Sequence, residues 1–315
     1  MWPFTSSSPL PPRVPPSPSK LKLQPHESLT YALSPTRTLG YAVYGSTSPA
    51  SRAIFFFHGM PGSRICGRSW NTLCHRLDVR LICIDRPGYG LSTPSSQRLI
   101  DWPSDVLSLA DHLHIDRFSV IGGSAGGPFA LACARFIPST RLRGTTVVCG
   151  IGPLDAIVPF GWRWAKWLVG VVARFLVLPR VLAPYANQDA QGLKRVLENQ
   201  CVTEEEKAFI YQEAKEGDLD DAVVQFVEAF RQGDGGAKSD GKILTSDWGF
   251  DVGEVKNKEK VWLLHGDQDR IAPVGYAKWI DERLGGGRLK VLKGMTHSTI
   301  WKEGEEEIFR QSAEA

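Results

Sequence analysis

The stretch FSVIGGSAGGPFAL, residues 118–131, places one Ser-Ala between two glycine pairs, after an apolar strand-like run and before a helix-like one. Glycine at an element junction costs backbone entropy, so the cluster marks a geometry that a Cβ would obstruct. Gly122-Gly123-Ser124-Ala125-Gly126 fits the pattern G-x-S-x-G. That spacing suits a sharp strand-to-helix turn, which holds the serine in a strained conformation with its hydroxyl exposed. The following helix directs its N-terminal N–H groups to where negative charge would develop. A phosphate-binding glycine turn is the competing reading. The stretch lacks the Lys-Ser/Thr of a P-loop and the spacing of a dinucleotide fingerprint.

Similar apolar runs recur on either side: AIFFFHG, VRLICIDRPG, LRGTTVVCG, KVWLLHGDQD and RLKVLKGMTH. They are apolar throughout rather than alternating, which suits parallel strands covered on both faces. Helix-like segments fall between them at 65–77, 102–114, 127–136 and 274–284. This alternation predicts an α/β fold with a mostly parallel eight-stranded sheet and helices on both faces. SLTYALS and TLGYAVYGS alternate like a hairpin and are expected at the antiparallel edge.

Residues 151–241 break the rhythm. They carry helix-like stretches at 162–178, 189–199, 204–215 and 218–232, and the glycine-rich RQGDGGAKSDGK closes them. A structureless loop of that length is uncommon, so a helical cap inserted after the sixth strand is expected. The core then comprises 28–150 and 242–315. Residues 1–27 are dominated by Pro and Ser, hold no acid before Glu27, and lack the apolar centre of a signal peptide. They read as a disordered leader, with the cytoplasm as the expected compartment.

The 315 residues are 42% hydrophobic and 23% charged, an ordinary globular mixture. A net charge of +3 is too weak to argue for nucleic acid. Cys83 and Cys149 sit inside apolar runs, so buried thiols are expected rather than a disulfide framework. No cysteine pair has metal-binding spacing. The apolar stretch 160–179 is interrupted by Arg163, Lys166 and Arg174, which suits a helix packed on protein and not one spanning a bilayer.

In open parallel sheets, function collects at the carboxyl ends of the strands. A serine hydroxyl is a poor nucleophile until a base takes its proton. Of seven histidines, His26 is in the leader, and His75, His112 and His114 fall in helix-like segments. His58 and His265 precede glycines at strand ends, where a buried hydrogen-bonding role is as suitable as catalysis. His297 alone follows the last strand, in GMTHS. Asp269, in HGDQDRIAP, is the expected acid partner, with Asp267 shaping the same turn. An oxyanion would need N–H donors. Ala125 supplies one. Pro61 has no N–H, so Met60 is the expected second donor, with Gly59 next. Asp85 is expected to fix the loop after the fourth strand. The aromatic start of the cap, including Phe160, Trp162, Trp164 and Trp167, is the candidate substrate-binding wall.

The motifs FFFHGMPGS, IDRPGYGLS, VIGGSAGGPFAL, LLHGDQDRIAP and GMTHS, taken together, resemble the α/β-hydrolases, specifically the group with an HGxPG oxyanion loop. The resemblance runs from about residue 42 to 300. It implies the α/β-hydrolase fold and a triad in the order Ser124, Asp269, His297, although some relatives place the acid after strand six, where Asp155 stands. It implies a small ester-type substrate, no metal and no organic cofactor. Related epoxide hydrolases and dehalogenases use an aspartate nucleophile, against which Ser124 argues. Proline iminopeptidases commonly carry Trp just after the nucleophile, and Ala125 departs from that. An acyltransferase with the same triad and a non-enzymatic receptor on the same scaffold remain as alternatives. Oligomeric state is not set by these motifs.

Overall fold

The computed structural model describes residues 21–156, 158, 166–173, 175, 178–185, 188–199 and 218–314. Its eight strands are β1 (Leu29–Ser34), β2 (Arg37–Gly45), β3 (Arg52–Phe57), β4 (Val79–Ile84), β5 (Phe118–Gly123), β6 (Leu142–Val148), β7 (Val261–Gly266) and β8 (Leu289–Leu292). They form one sheet in the order β1-β2-β4-β3-β5-β6-β7-β8. The β1–β2 and β2–β4 pairs are antiparallel, and every pair from β4 to β8 is parallel. The expected α/β-hydrolase sheet, with its antiparallel edge hairpin, is what forms.

The continuous apolar runs work because alternate residues enter opposite faces. On β3, Ala53, Phe55 and Phe57 join one core cluster, while Ile54 and Phe56 join the other. On β4, Ile82 and Ile84 face the first cluster, and Leu81 and Cys83 the second. The first face is covered by α2 (Trp102–His112), α3 (Gly127–Phe136) and α9 (Gly275–Arg283). The second is covered by α1 (Asn71–Arg76), α10 (Ile300–Glu303) and α11 (Glu305–Glu314). The terminal α11 has no counterpart in the sequence reading. Its Ile308, Phe309 and Ala313 are buried in the second cluster, with four acids in 305–314 on the rest of the helix.

Between β6 and β7 the described residues form helices only: α4 (Lys166–Val172), α5 (Leu178–Leu182), α6 (Ala190–Asn199), α7 (Asp218–Ala229) and α8 (Gly235–Leu244), besides short turns. The expected helix at 204–215 lies outside the described residues. The helix α7 is tied to the core by buried pairs, Arg64 to Glu228 at 2.8 Å and Arg68 to Asp221 at 3.1 Å. Among the described residues no helix is long and apolar enough to cross a membrane.

Two boundaries differ from the sequence reading. Pro25–Glu27, expected at the end of the leader, forms a 3-10 turn. Glu27 is buried there, paired with Arg68 at 2.7 Å and accepting from the Tyr44 hydroxyl at 3.1 Å. A carboxylate so enclosed by donors is part of the core. The glycine-rich stretch expected to close the insertion is itself the helix α8, running past Gly241 to Leu244. The glycine is needed there for close approach. A Cβ on Gly236 would stand 2.8 Å from the carbonyl of Gly88.

Candidate active site

Ser124 stands between β5 and α3 with φ +51°, a left-handed conformation that an ordinary residue adopts only under constraint. The constraint is steric. A Cβ on Gly126 would lie 2.1 Å from the Phe57 carbonyl oxygen, and one on Gly122 would lie 2.4 Å from the Gly126 carbonyl. The strand and the helix therefore approach as closely as backbone allows, and Ser124 is held at the apex. The chain continues through a 3-10 turn, Ser124–Gly126, into α3 with Pro128 in its first turn.

Asp269 and His297 meet at the ends of β7 and β8. His297 Nδ1–H donates to Asp269 Oδ2 at 2.7 Å. The other carboxylate oxygen accepts from the N–H groups of Ile271 and Ala272 at 2.9 and 2.8 Å. His265 Nε2–H donates to the Ala272 carbonyl at 2.6 Å and lies 3.4 Å from Asp269 Oδ2. Burial opposes the Asp269 charge, but the hydrogen bonds from His265 and His297, with the His297 charge and the Ala272 N–H, outweigh it. They hold its carboxyl well below the usual carboxylate range. The ring of His297 is partly exposed, as a proton carrier requires. Among the described residues no hydrogen bond joins His297 to Ser124 Oγ.

The competing acids fall elsewhere. Asp155 sits on the turn Leu154–Ala156 after β6, and the carboxylate against His297 Nδ1 is that of Asp269. Asp267 Oδ1 accepts from the Gly294 N–H at 2.7 Å and so ties the turn after β7 to the turn after β8. Asp85 is fully buried, accepting from the Arg64 and Leu91 N–H groups and from the Arg64 guanidinium. It fixes the loop after β4.

Opposite the elbow lies the loop after β3. Gly59 abuts the serine: a Cβ there would be 3.3 Å from Ser124 Cβ. Met60 is partly buried, with its side chain packed on Tyr89, Leu182, Ala229 and Ala237. Ala125 is fully buried directly after the serine. The expected wall residues Phe160, Trp162 and Trp164 lie outside the described residues, as does the side chain of Trp167 on α4.

One neighbour has no place in the sequence reading of the site. Cys149 directly follows β6 at φ +48°, and its sulfur lies within 4.8 Å of the His297 and Asp269 donor atoms. Burial, then the Asp269 charge, pushes its thiol well above the ordinary range. A neutral thiol beside an imidazole already committed to Asp269 is a poor donor set for a metal. The sequence marked Cys149 only as a buried thiol in an apolar run, and nothing local to it names its neighbours.

The chain matches the family model described as "Alpha/beta hydrolase family" over residues 54–310. It is 32% identical over 127 residues to a probable proline iminopeptidase of Leptolyngbya boryana, covering 38% of this chain and 38% of that relative. The match thus spans little more than a third of that relative's length. The chain is 28% identical over 224 residues to a pimeloyl-[acyl-carrier protein] methyl ester esterase of Nitrosomonas europaea, covering 70% of this chain and 78% of the relative. Among solved structures, a hydrolase from Pseudomonas aeruginosa PA01 superposes with a TM-score of 0.63 at 16% identity, over 93% of this chain and all of that one. At that identity the likeness speaks for the fold alone.

Proposed function

The chain belongs to the alpha/beta hydrolase family, and from that premise we propose that it is a serine hydrolase cleaving a carboxylic ester of a small, apolar-group-bearing substrate. Ser124 Oγ attacks the ester carbonyl, and His297 Nε2 takes the hydroxyl proton. Asp269 holds the imidazole by its Nδ1–H and stabilises the cation that forms. The N–H groups of Met60 and Ala125 receive the oxyanion. Proton return from His297 expels the alcohol. Water, activated by the same histidine, then releases the acid from the acyl-enzyme.

One observation carries this reading above the others. A carboxylate held ionised at the end of β7 is bonded to a histidine, under the same sheet edge that presents a strained serine. The Ser124–His297 hydrogen bond remains to be made, and such bonds commonly tighten only when substrate seats. The helical insertion would supply the apolar wall, a role that rests on the aromatic sequence of Phe160, Trp164 and Trp167. The iminopeptidase relative is matched over too little of its length to carry its activity across. Ala125 also stands where that group commonly carries the Trp that follows the nucleophile.

The test is intact mass after reaction with a fluorophosphonate, on wild type and on Ser124→Ala. A single adduct on wild type only, with release of free acid from p-nitrophenyl esters, is expected. Folded wild type that takes no adduct overturns the proposal. Acyl transfer to added alcohol in place of free acid overturns its hydrolytic half.

A further inference from the structure

The DRPG loop after β4 places Arg86 under the candidate site, with no exposed surface. Its guanidinium lies over the Phe129 ring, 4.7 Å from the centroid, and within 5.4 Å of the Tyr89 centroid. Nη2 donates to the Gly59 carbonyl at 2.9 Å, and Nη1 reaches the Ala125 carbonyl at 3.4 Å. The arginine thus touches both loops that carry the expected oxyanion donors.

The Gly59 carbonyl has a second partner. The backbone N–H of Arg86 donates to His58 Nε2 at 3.1 Å, which makes that nitrogen the acceptor. Burial, then the Arg86 charge, holds His58 well below its ordinary pKa, so the ring is neutral and its one proton sits on Nδ1. Nδ1–H then donates to the Gly59 carbonyl at 2.8 Å. Two donors therefore grip one carbonyl oxygen. A peptide unit is planar, and in the trans form its C=O and the following N–H point to opposite sides. Fixing the Gly59 oxygen fixes the direction of the Met60 N–H, which is aimed away from Arg86 and His58.

The counter-charge that holds Arg86 comes from the insertion. Asp240 on α8 accepts from Arg86 Nη2 at 2.9 Å and from the Tyr89 hydroxyl at 2.7 Å, and it is itself buried. A buried guanidinium stripped of the carboxylate it pairs with is strongly destabilised and moves toward other acceptors or water. We propose that Asp240 is a positioning residue. It anchors Arg86, which with neutral His58 sets the Gly59–Met60 peptide as an oxyanion donor, so the oxyanion site is complete only when α8 is seated. This rests on the serine hydrolase reading above. Its consequence is that the insertion completes the reacting site from behind, whatever wall it also offers to substrate.

The test uses the full chain and compares wild type with Asp240→Asn, which keeps the shape and removes the charge. Four quantities are read: kcat and KM for p-nitrophenyl butyrate, the inhibition constant of a trifluoromethyl ketone that forms an oxyanion on Ser124, and thermal stability. A loosened oxyanion donor lowers kcat by about tenfold to a hundredfold, with KM within about twofold. The inhibition constant rises by the factor that kcat/KM falls. A merely structural Asp240 would lower the melting temperature and leave kcat and ketone affinity per folded molecule at wild-type values, and that result overturns the proposal. Should Asp240→Asn not fold, Asp240→Glu, which keeps the charge one methylene away, is read by the same split between kcat and KM. If wild type takes no fluorophosphonate adduct, the hydrolase reading and this inference fall together. If wild type is labelled and turns over while the Asp240 variants match it, only this inference falls.

Discussion

Asp269 and Asp240 are both carboxylates buried near the carboxyl end of the sheet, yet they settle on opposite sides of the usual range. Burial opposes charge on each. At Asp269 it is outweighed, because two backbone N–H groups and two imidazoles surround the carboxylate. At Asp240 burial prevails over the Arg86 charge and the hydrogen bonds from Tyr89 and Arg86, and the carboxyl lies above the usual range. The number and closeness of donors decide the outcome, and burial alone does not. The two sites also differ in how the chain assembles them. Ile271 and Ala272 lie two and three residues beyond Asp269. Tyr89 lies 151 residues before Asp240.

The largest way to break the contrast is Asp269→Asn. The amide cannot stabilise an imidazolium, and it presents an N–H where His297 needs an acceptor. Ester hydrolysis should fall by about 10³- to 10⁴-fold, read as kcat/KM on p-nitrophenyl butyrate. The same variant checks the charge through stability. The folded pKa of Asp269 is depressed, so its contribution is fully present above the unfolded value of about 3.9 and is lost as pH falls toward the lower folded value. Melting temperatures of wild type and Asp269→Asn should therefore converge as the pH drops below about 4. A gap that stays constant down to pH 2.5 would mean that Asp269 holds no special charge.

That difference in assembly explains what the sequence made legible. The elbow, the acid turn and the parallel strands are written in short windows: glycines where backbone meets backbone, an aspartate two and three residues before its donors, apolar runs of strand length. The sheet was readable for that reason, whereas Asp269 and His297, 28 residues apart, were paired only through the order of motifs that the family resemblance implies. The seam with the insertion was not. Asp240 sits in a glycine-rich stretch that propensity reads as a loop. Its helix is stabilised by Arg86, Tyr89 and the close approach to Gly88, none of which a local window contains. Glu27 was misplaced into the leader for the same reason, since Tyr44 and Arg68 are its partners.

A pair of neighbouring glycines sharpens the seam side at smaller amplitude. On Gly236 a Cβ would meet Gly88 backbone and the Tyr89 ring at 2.8 Å, so Gly236→Ala must push α8 off the DRPG loop. A loss of about 1–3 kcal/mol is expected from such overpacking, read as a lowered urea midpoint. On Gly235 a Cβ would meet nothing within 4 Å. Gly235→Ala should leave stability unchanged or raise it by up to about 1 kcal/mol, through helix propensity alone. Of two adjacent substitutions of the same chemistry, only the one at Gly236 should thus destabilise. Equal effects would mean that α8 does not lie against Gly88.

The smallest effect belongs to charge pairs with neither burial nor a seam. Arg76 pairs with Glu306 across α1 and α11, with side chains 62% and 43% exposed. Arg310 reaches the same carboxylate from one turn away. Water already solvates these groups in the unfolded chain, so bringing them together gains little and orders long side chains. Glu306→Gln should leave the urea midpoint nearly unchanged, with the remaining shift erased by 0.5 M salt. The buried Arg68–Glu27 pair has no such water to fall back on. Glu27→Gln removes one of the two carboxylates paired with Arg68, the other being Asp221, and should destabilise by several times more, in a way that salt does not restore. A salt-sensitive loss at Glu27 would place that carboxylate in solvent. The leader would then extend to residue 27 as its composition suggests, and the core would begin at Leu29.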